Sequence, residues 1–281
     1  MRVVCLGAGR LASRLPALLP KAKLFGLSRS RPTQVSVSAL EWIHCDLSWP
    51  AAKLNDVLTA LGPIDAVVYT ATPSSRSVSD YQHMYVDVPR KIQSLLDASR
   101  TRWIHVSSTG VFGHCHGEWV HEDTAPTPKS VIAKLLRESE QVVAGYGNSA
   151  IIRLGGIYGP SRLHLRQAIE NGRQFQGWPW NYTNRIHELD ASRALAWLLE
   201  HPSPGVTIYH GVDHDPAPMH QVVERIASQY DLELQPFVRL KNAHEAQQNK
   251  RVGNRALLAS GFTFRFPSLI QGLSYNKLGQ K

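Results

Sequence analysis

The sequence is poor in cysteine and has no long apolar run. Its 281 residues include three cysteines, Cys5, Cys45 and Cys115, which are scattered rather than regularly spaced. This usage indicates thiols in a reducing compartment and argues against a disulfide framework. No apolar run approaches the length that spans a bilayer, and the first predicted strand starts too near the N-terminus to leave room for a signal peptide. The protein is therefore predicted to be cytoplasmic.

Blocks of Lys and Arg are also absent, although the formal net charge is +9 and the sequence pI is near 9.6. Excess basic charge is typical of proteins that bind nucleic acid, anionic membranes or small anions. Here the arginines are dispersed and concentrate near the predicted ligand loops. The charge pattern therefore favours a small anionic ligand and predicts neither nucleic-acid nor membrane binding.

A glycine-rich turn near the N-terminus organises the chain. The apolar run Val3–Leu6 predicts a strand and Leu11–Leu19 a helix, with G-x-G-x-x-A between them. In a dinucleotide-binding turn, Gly7 permits the reversal, Gly9 lets the backbone approach a pyrophosphate, and Ala12 lets the helix pack closely. The helix N-terminus favours phosphate, while Pro16 is expected to kink or shorten the helix. The alternative interpretation is a purely structural turn.

Acidic residues are missing where NAD would need one. After the predicted second strand, Lys23–Leu27, an acid would hold the ribose hydroxyls of NAD, whereas an Arg would hold the 2′-phosphate of NADP. No Asp or Glu precedes Glu41, and Arg10, Arg29 and Arg31 are present instead. NADP is therefore the predicted cofactor, with NAD and a merely solvated basic loop as alternatives.

Strand and helix patterns alternate along the chain. Further strands are predicted at Trp42–Cys45, Ile64–Tyr69 and Trp103–Val106, and helices at Ala51–Leu61, Val88–Ala98, Ser192–Glu200 and Met219–Tyr230. This alternation predicts an α/β, Rossmann-type doubly wound parallel sheet with a smaller C-terminal substrate lobe. Residues 1–160 are assigned to the NAD(P)-binding domain, rejoined by about 186–212, and residues 161–281 mostly to the substrate lobe.

Two predicted strand ends supply further cofactor candidates. Asp46 and Leu47 follow the third strand, where Asp46 either faces the adenine or caps the following turn. Thr70, Ala71 and Thr72 follow the fourth strand in a loop expected to line the cofactor at the carboxyl edge of the sheet. The set of cofactor-binding residues is completed by Leu11 at the first turn and by Lys134.

Several later motifs resemble those of the extended short-chain dehydrogenase/reductases, which include nucleotide-sugar epimerases and dehydratases. The matching stretches are Val106–Gly113, Glu122–Pro128, Lys134 with Glu138, Arg153–Leu154, Ile157–Pro160, His187 with Asp190, and Leu257–Phe262. They cover nearly the whole chain, and the chain is most similar to an atypical, YeeZ-like subgroup. The resemblance implies a nicotinamide cofactor and an oxidoreductase or epimerase-like activity.

A departure from the family's Tyr-x-x-x-Lys pattern affects the expected chemistry. Lys134 is present, but Ser130 stands where the tyrosine would be, and no tyrosine occurs between Tyr85 and Tyr146. A Ser hydroxyl is shorter and much less acidic than a phenol, so it cannot replace the tyrosine directly. The resemblance implies that Ser108 orients the substrate hydroxyl. The predicted catalytic residues are therefore Ser108, Ser130 acting through a nearby water, and Lys134.

Arginines and aromatics follow the Ile157–Pro160 turn. Arg162–Asn171 is predicted to form a basic amphipathic helix, and Gly177–Tyr182 an aromatic loop. Arg binds phosphate or carboxylate through two hydrogen bonds, and aromatics stack on flat rings. The predicted substrate-binding residues are Thr109, Tyr158, Arg162, Arg166 and Arg185. Tyr158 is also the fallback proton donor. An exposed basic helix beside a packed aromatic turn is the alternative.

His114, Cys115, His116 and His121 could in principle bind a metal. Alternating residues on a short loop seldom converge without further ligands, and the resemblance implies no metal. No metal site is therefore predicted.

Two functional interpretations stay open. The first is an NAD(P)-dependent oxidoreductase or epimerase/dehydratase-like enzyme acting on a small anionic hydroxyl or carbonyl substrate, such as a sugar or sugar nucleotide. The second is a catalytically silent NADP-binding sensor or regulatory module, which the missing tyrosine favours. A homodimer is an open alternative for the oligomeric state.

Overall fold

The computed structural model describes residues 1–31, 40–114, 116–160, 164–178, 181–239 and 249–278, with the side chains of 178, 239 and 276–278 left out. Cys115 and the predicted substrate residue Arg162 lie outside the described residues, as do residues 241–248.

The described chain forms fifteen strands and ten α-helices. The strands are β1 (Arg2–Leu6), β2 (Lys23–Ser28), β3 (Leu40–His44), β4 (Ala66–Tyr69), β5 (Arg102–Ser108), β6 (Glu118–Val120), β7 (Ser149–Leu154), β8 (Gly156–Tyr158), β9 (Gln176–Trp178), β10 (Tyr182–Thr183), β11 (Arg185–His187), β12 (Val206–Gly211), β13 (Ala217–Pro218), β14 (Val238–Arg239) and β15 (Lys250–Val252). The helices are α1 (Leu15–Leu18), α2 (Ala51–Ala60), α3 (Val78–Gln82), α4 (Val88–Gln93), α5 (Val131–Gly145), α6 (His164–Glu170), α7 (Glu188–Glu200), α8 (Met219–Tyr230), α9 (Arg255–Ala259) and α10 (Leu269–Leu278).

Seven strands form one parallel sheet in the order β12-β7-β5-β4-β1-β2-β3. The central strands β1 and β4 are almost continuously apolar and buried, as expected for a sheet covered on both faces. The strand order reverses between β1 and β4, and ligands of such sheets bind outside the carboxyl ends of the strands at that reversal. The Rossmann-type doubly wound prediction is confirmed.

The chain divides into two compact units. The first unit comprises Met1–Val111, Pro128–Arg153 and Ser192–Tyr209, and the second comprises Phe112–Thr127, Leu154–Ala191 and His210–Lys281. The core of the first unit lies on the central sheet, where Tyr69 and Trp103 stack with ring centroids 5.6 Å apart. The core of the second unit gathers apolar residues of α6, α8 and α10, including Ile169, Val222 and Leu269.

The first helix is shorter than the Leu11–Leu19 pattern predicts. A 3₁₀ turn at Ala12–Arg14 precedes the four-residue helix α1, in which Pro16 occupies the first turn. Proline lacks an N–H and its ring obstructs the preceding turn, so the helix can only begin near Pro16 rather than run through it. The expected shortening is confirmed.

The helix predicted at Val88–Ala98 instead begins ten residues earlier and ends sooner. The Ser77 side chain caps α3 by accepting a hydrogen bond from Asp80 N, and a π-helical turn at His83–Asp87 connects α3 to α4. Pro89 lies just after this turn. Because Pro89 cannot donate to the carbonyl four residues earlier, a widened turn accommodates it within the continuous helix.

One other expectation is wrong at its edge, because helix α7 starts at Glu188, four residues before the predicted Ser192.

Lys250 is a buried charged side chain in β15, which pairs with β6. Burial lowers the pKa of Lys250 to about 8, although the Glu118 carboxylate partly opposes the shift.

A buried ion pair ties helix α5 to the sheet. Arg153 on β7 donates two hydrogen bonds of 2.8 Å to the two carboxylate oxygens of Glu140. Ser107 on β5 and Arg137 also donate to Glu140, over 2.7 and 3.0 Å. Burial alone would raise the pKa of Glu140, but the Arg153 hydrogen bonds and charge, with Ser107 and Arg137, hold it below the ordinary value.

A buried histidine lies beside this network. The His105 ring stacks on Tyr69 with centroids 5.3 Å apart, and its Nε2 lies 3.0 Å from the Ser139 hydroxyl. Burial lowers the pKa of His105 to about 4, and the charge of Glu140 offsets only part of that effect. His105 is therefore neutral at physiological pH.

Among the described residues, no helix is both long enough and apolar enough to cross a membrane.

We expect Glu140→Gln to lower the free energy of unfolding by about 3–5 kcal/mol, because it removes the buried carboxylate charge to which Arg153 donates two hydrogen bonds. Glu138→Gln on the same helix is the matched control. Its partner Arg90 is 3.9 Å away and both side chains are largely exposed, so its loss should cost less than about 1 kcal/mol. Urea unfolding measures both changes. Equal effects of the two substitutions would contradict the role given to Glu140.

We expect His105 to make the protein acid-sensitive. Its folded pKa is about 4 and its unfolded pKa is about 6.5, so the unfolded state binds the extra proton between these values. Stability should therefore fall by about 1.4 kcal/mol per pH unit as the pH drops below about 6.5. In urea titrations from pH 7 to 5, His105→Gln should flatten this slope relative to wild type. His44→Gln, at an exposed site, should leave it unchanged.

Candidate functional site

The glycine-rich turn has no room for a side chain at Gly7. Its φ is +91°, and a Cβ there would lie 2.5 Å from Ala71 N. Gly7 N donates to Leu27 O over 2.9 Å, and Thr70 Oγ1 donates to Gly7 O over 2.5 Å. The turn is thus held by the ends of β2 and β4. At Gly9, by contrast, a Cβ would meet no atom within 4 Å, so the backbone faces open space.

A cleft of about 470 Å³ opens at the carboxyl ends of β1, β2 and β4. It is lined by most of the predicted cofactor residues, namely Gly7, Gly9, Arg10, Arg29, Arg31, Asp46, Leu47, Thr70, Ala71 and Thr72. Leu11 and Ala12 are buried beneath the turn and do not line it, and Lys134 is exposed on α5. Sequence reasoning missed Met84, whose position depends on the π-helical turn.

The charged side chains that line this cleft include Arg29, Arg31 and Asp46. The side chains of Arg29 and Arg31 are exposed, while Arg29 O lies 3.0 Å from His44 Nδ1. Asp46 accepts a hydrogen bond of 2.9 Å from Ser48 N, and this bond leads the causes that lower the pKa of Asp46. Asp46 therefore caps the following turn as a carboxylate and also lines the cleft. The open backbone at Gly9 and the two arginines suit a phosphorylated dinucleotide.

The predicted catalytic residues belong to the first unit. Ser108 ends β5 and its Oγ accepts from Gly110 N over 3.0 Å. Ser130 is exposed and caps α5 by accepting from Ala133 N over 3.1 Å. Lys134 is one turn further along α5 and is also exposed. Thr109, predicted to bind substrate, is buried at the start of a 3₁₀ turn.

A leucine rather than a lysine of α5 faces the end of β5. A Cβ built on Gly110 would lie 3.3 Å from Ser108 Oγ and 3.8 Å from Leu136 Cδ1. The buried positions of α5 include Leu136 and Glu140, four residues apart and therefore on one face. The resemblance matched Lys134 with Glu138, but both of these side chains lie off the face that carries Glu140.

A second cleft, of about 280 Å³, lies within the second unit. Of the predicted substrate residues, Tyr158, Arg166 and Arg185 line it. Tyr158 OH donates to Ser268 O over 3.2 Å, and burial raises the pKa of Tyr158 well above its ordinary range. Gly272 of α10 lies so close to the Tyr158 ring that a Cβ could not fit. This packing gives Tyr158 a structural role.

The two arginines in this cleft differ in their partners. Arg166 Nε donates to Glu170 Oε1 over 2.8 Å, and its guanidinium lies 4.4 Å from the Tyr230 ring centroid. Among the described residues, Arg185 makes only long contacts, 3.4 Å from Nε to Thr183 Oγ1 and 3.9 Å to Met219 Sδ. Burial lowers the pKa of Arg185.

Asp213, whose backbone contacts that of Arg185, has an unusual carboxyl group. Asp213 N donates to Arg185 O over 2.6 Å, and within the described residues Asp213 Oδ2 has no hydrogen-bond partner. Burial is the main cause that raises the pKa of Asp213 to about 8. Asp213 is therefore mostly uncharged at neutral pH, and nothing in its sequence neighbourhood indicated this.

The motif His187 with Asp190 holds the closing segment of the second unit. Asp190 accepts hydrogen bonds from Arg265 N and Phe266 N, over 3.0 and 2.8 Å. The His187 ring packs 4.1 Å from the Phe266 ring. Within the described part of the chain, no three His, Cys, Asp or Glu side chains are grouped so that they could hold a metal ion.

Comparisons with solved structures match nearly the full chain. A Methylobacillus flagellatus protein, provisionally described as an NAD-dependent epimerase/dehydratase, is 29% identical with a TM-score of 0.78, covering 99% of this chain and 98% of its own. A conserved protein of unknown function from Silicibacter pomeroyi DSS is 24% identical, with a TM-score of 0.76 and coverage of 100% and 99%. MoeE5 in complex with UDP-glucose and NAD is 19% identical, with a TM-score of 0.81 and full coverage of both chains.

No family model matches the chain, and no curated protein matches it. The YeeZ-like subgroup stays a prediction. The solved structures, with the strand order and the glycine-rich turn, support the assignment of the chain to the extended short-chain dehydrogenase/reductase superfamily.

Proposed function

We propose that the protein is an NADP-dependent enzyme of the oxidoreductase or epimerase/dehydratase type. The observation that carries this proposal is the cleft at the strand-order reversal, which combines the open backbone at Gly9 with Arg29 and Arg31. The similarity to the 29% identical protein described as an NAD-dependent epimerase/dehydratase supports it. The solved structures of MoeE5 contain NAD, so the preference for NADP rests on this chain's own arginines.

Different residues of the first-unit cleft would bind different parts of the cofactor. The backbone at Gly9 would receive the pyrophosphate, Arg29 and Arg31 the 2′-phosphate, and the Thr70–Thr72 loop the remaining length of the dinucleotide. Asp46, kept ionised by the Ser48 N–H, would lie toward the adenosine end. When bound, the nicotinamide supplies hydride transfer. The protein supplies binding, orientation and proton transfer.

This chain departs from the family's Tyr-x-x-x-Lys motif at the tyrosine, the residue expected to transfer the proton. Ser108, at the end of β5, would orient a hydroxyl or carbonyl oxygen of the substrate. We propose that a water near Ser130, oriented by Lys134, would carry the proton, since Ser130 itself is a poor acid. Such a relay predicts slow turnover. The substrate class proposed is a small anionic hydroxyl or carbonyl compound, such as a sugar or sugar nucleotide, with Thr109, Tyr158, Arg162, Arg166 and Arg185 as predicted substrate residues.

One observation favours a second function, a catalytically silent NADP-binding sensor. Leu136 Cδ1, and not the Lys134 ammonium, faces Gly110 beside Ser108. An apolar side chain there can neither donate a proton nor lower the pKa of a neighbour. In a sensor, Lys134 would be one of several exposed residues of α5, and its removal would have no chemical effect.

We expect tighter binding of NADP than of NAD, because the 2′-phosphate gains charge-assisted hydrogen bonds from Arg29 and Arg31. Arg29→Ala should weaken NADP binding by about tenfold to a hundredfold and leave NAD binding nearly unchanged. Titration calorimetry with both cofactors measures this. Lys21→Ala removes an exposed charge outside the cleft and serves as the control. Equal affinities for the two cofactors, or a preference for NAD, would contradict the proposal.

We expect Ser130→Tyr to raise turnover and Lys134→Ala to abolish it, while NADP affinity changes little in Ser130→Tyr. The assay follows nicotinamide absorbance across a panel of sugars, sugar nucleotides and small hydroxy acids. Gln141→Ala, another exposed position of α5, controls for nonspecific effects on the helix. If wild type and Ser130→Tyr are inert on every substrate while NADP binds tightly, the sensor function replaces the enzyme.

A further inference from the structure

The second-unit cleft combines apolar walls with one poorly partnered cation. Ile226, Leu269 and Leu273 are buried side chains that line it, and Tyr230 adds an aromatic face. Arg185 is partly buried, and a guanidinium withdrawn from water is costly unless an anion or several good hydrogen bonds compensate it. Arg185 has only the two long contacts described above, and among the described residues no carboxylate lies within ion-pair distance of it.

The other charged groups compensate Arg185 only in part, because the charge of Asp213 raises the pKa of Arg185 but burial, which lowers it, is the larger effect. Arg166 shares the cleft, but Glu170 and the Tyr230 ring already engage its guanidinium. The Asp213 carboxyl is mostly protonated at neutral pH because burial raises its pKa to about 8. The cleft therefore keeps, at Arg185, a positive charge that no carboxylate of the described residues pairs at close range, beside a lining that is mostly apolar.

Sugars do not suit such walls. Each hydroxyl of a sugar that enters an apolar pocket must give up its hydrogen bonds to water, at a cost that apolar side chains cannot offset. A hydrocarbon or aromatic group loses nothing comparable and gains from leaving water. The cleft's volume of about 280 Å³ is at the small end for ligand pockets, so it suits one ring-sized group rather than a whole dinucleotide.

We propose that this cleft binds a small anion with an apolar body, with the Arg185 guanidinium holding a carboxylate or phosphate and the Ile226, Leu269 and Tyr230 side chains covering an aliphatic or aromatic group. The inference rests on the proposed function in taking the cleft as part of substrate recognition, and it replaces the sugar by an apolar acid or phosphate ester. Binding itself needs no cofactor.

The test uses matched probes on the full chain. Phenylacetate and benzyl phosphate carry the same aromatic body with different anions, benzyl alcohol carries the body alone, and acetate and inorganic phosphate carry the charge alone. Calorimetry or ligand-observed NMR should show phenylacetate or benzyl phosphate binding at least about tenfold tighter than benzyl alcohol or the bare anions. Whichever of the two aromatic anions binds more tightly identifies the head group as carboxylate or phosphate.

Arg185→Gln should weaken binding of the tighter-binding aromatic anion by about tenfold or more, because the charge-assisted contact is lost. Binding of benzyl alcohol, which has no charge, should be unchanged. Arg173→Gln is the matched control: it removes an exposed arginine of the second unit that does not line the cleft, and it should change binding less than about threefold. If Arg185→Gln fails to fold, Arg185→Lys, which keeps the charge without the planar fork, should give an intermediate affinity.

Three results would overturn the inference. They are equal binding of the aromatic anion to wild type and Arg185→Gln, no binding of either aromatic anion to the folded protein, and Arg185-dependent binding of UDP-glucose tighter than that of both aromatic anions. NADP titration of the same samples separates these failures from failure of the proposed function. A protein that binds NADP but none of the aromatic anions contradicts only the cleft assignment.

Discussion

The Glu140–Arg153 pair fixes the part of the molecule on which the proposed chemistry depends. Glu140 joins α5 to β7 through Arg153 and to β5 through Ser107, so three neighbouring elements share one buried carboxylate. Removing any donor would leave charge or a polar group uncompensated in the interior. Ser108 follows Ser107 directly, and the network therefore also sets the position of the strand end beside Leu136. Rigid placement of that strand end is a condition for either an enzyme or a cofactor sensor.

Local patterns were sufficient for most of the fold and for most residues that line the first-unit cleft. Gly7 and Gly9 between a strand and a helix start specify a turn whose backbone is constrained by sterics, and the apolar runs of β1, β4 and β5 specify buried parallel strands. The ends of the helices were harder to predict from the sequence. The helix that contains Pro89 begins at Val78, after the Ser77 cap, because a π-helical turn accommodates the proline. No periodicity in the sequence indicates such a turn.

The catalytic region was harder to predict for a geometric reason. On α5, Lys134 with Glu138 and Leu136 with Glu140 are both four residues apart, so the spacing alone allows either pair to face the sheet. Tertiary contacts with Arg153 select the second pair. The isolation of Arg185 and the protonation of Asp213 were likewise invisible, because both depend on burial among residues distant in sequence.

Strand β12 has a consequence for synthesis on the ribosome. It pairs with β7 at the edge of the sheet, yet it lies at Val206–Gly211, long after β7 ends at Leu154. As the chain emerges N-terminus first, the outer edge of β7 stays open while the segment Leu154–Ala191 of the second unit is made. The unpaired edge of a strand that is buried along its whole length in the folded protein is a template for wrong pairing. The nascent protein therefore passes through an interval in which chaperone binding competes with aggregation.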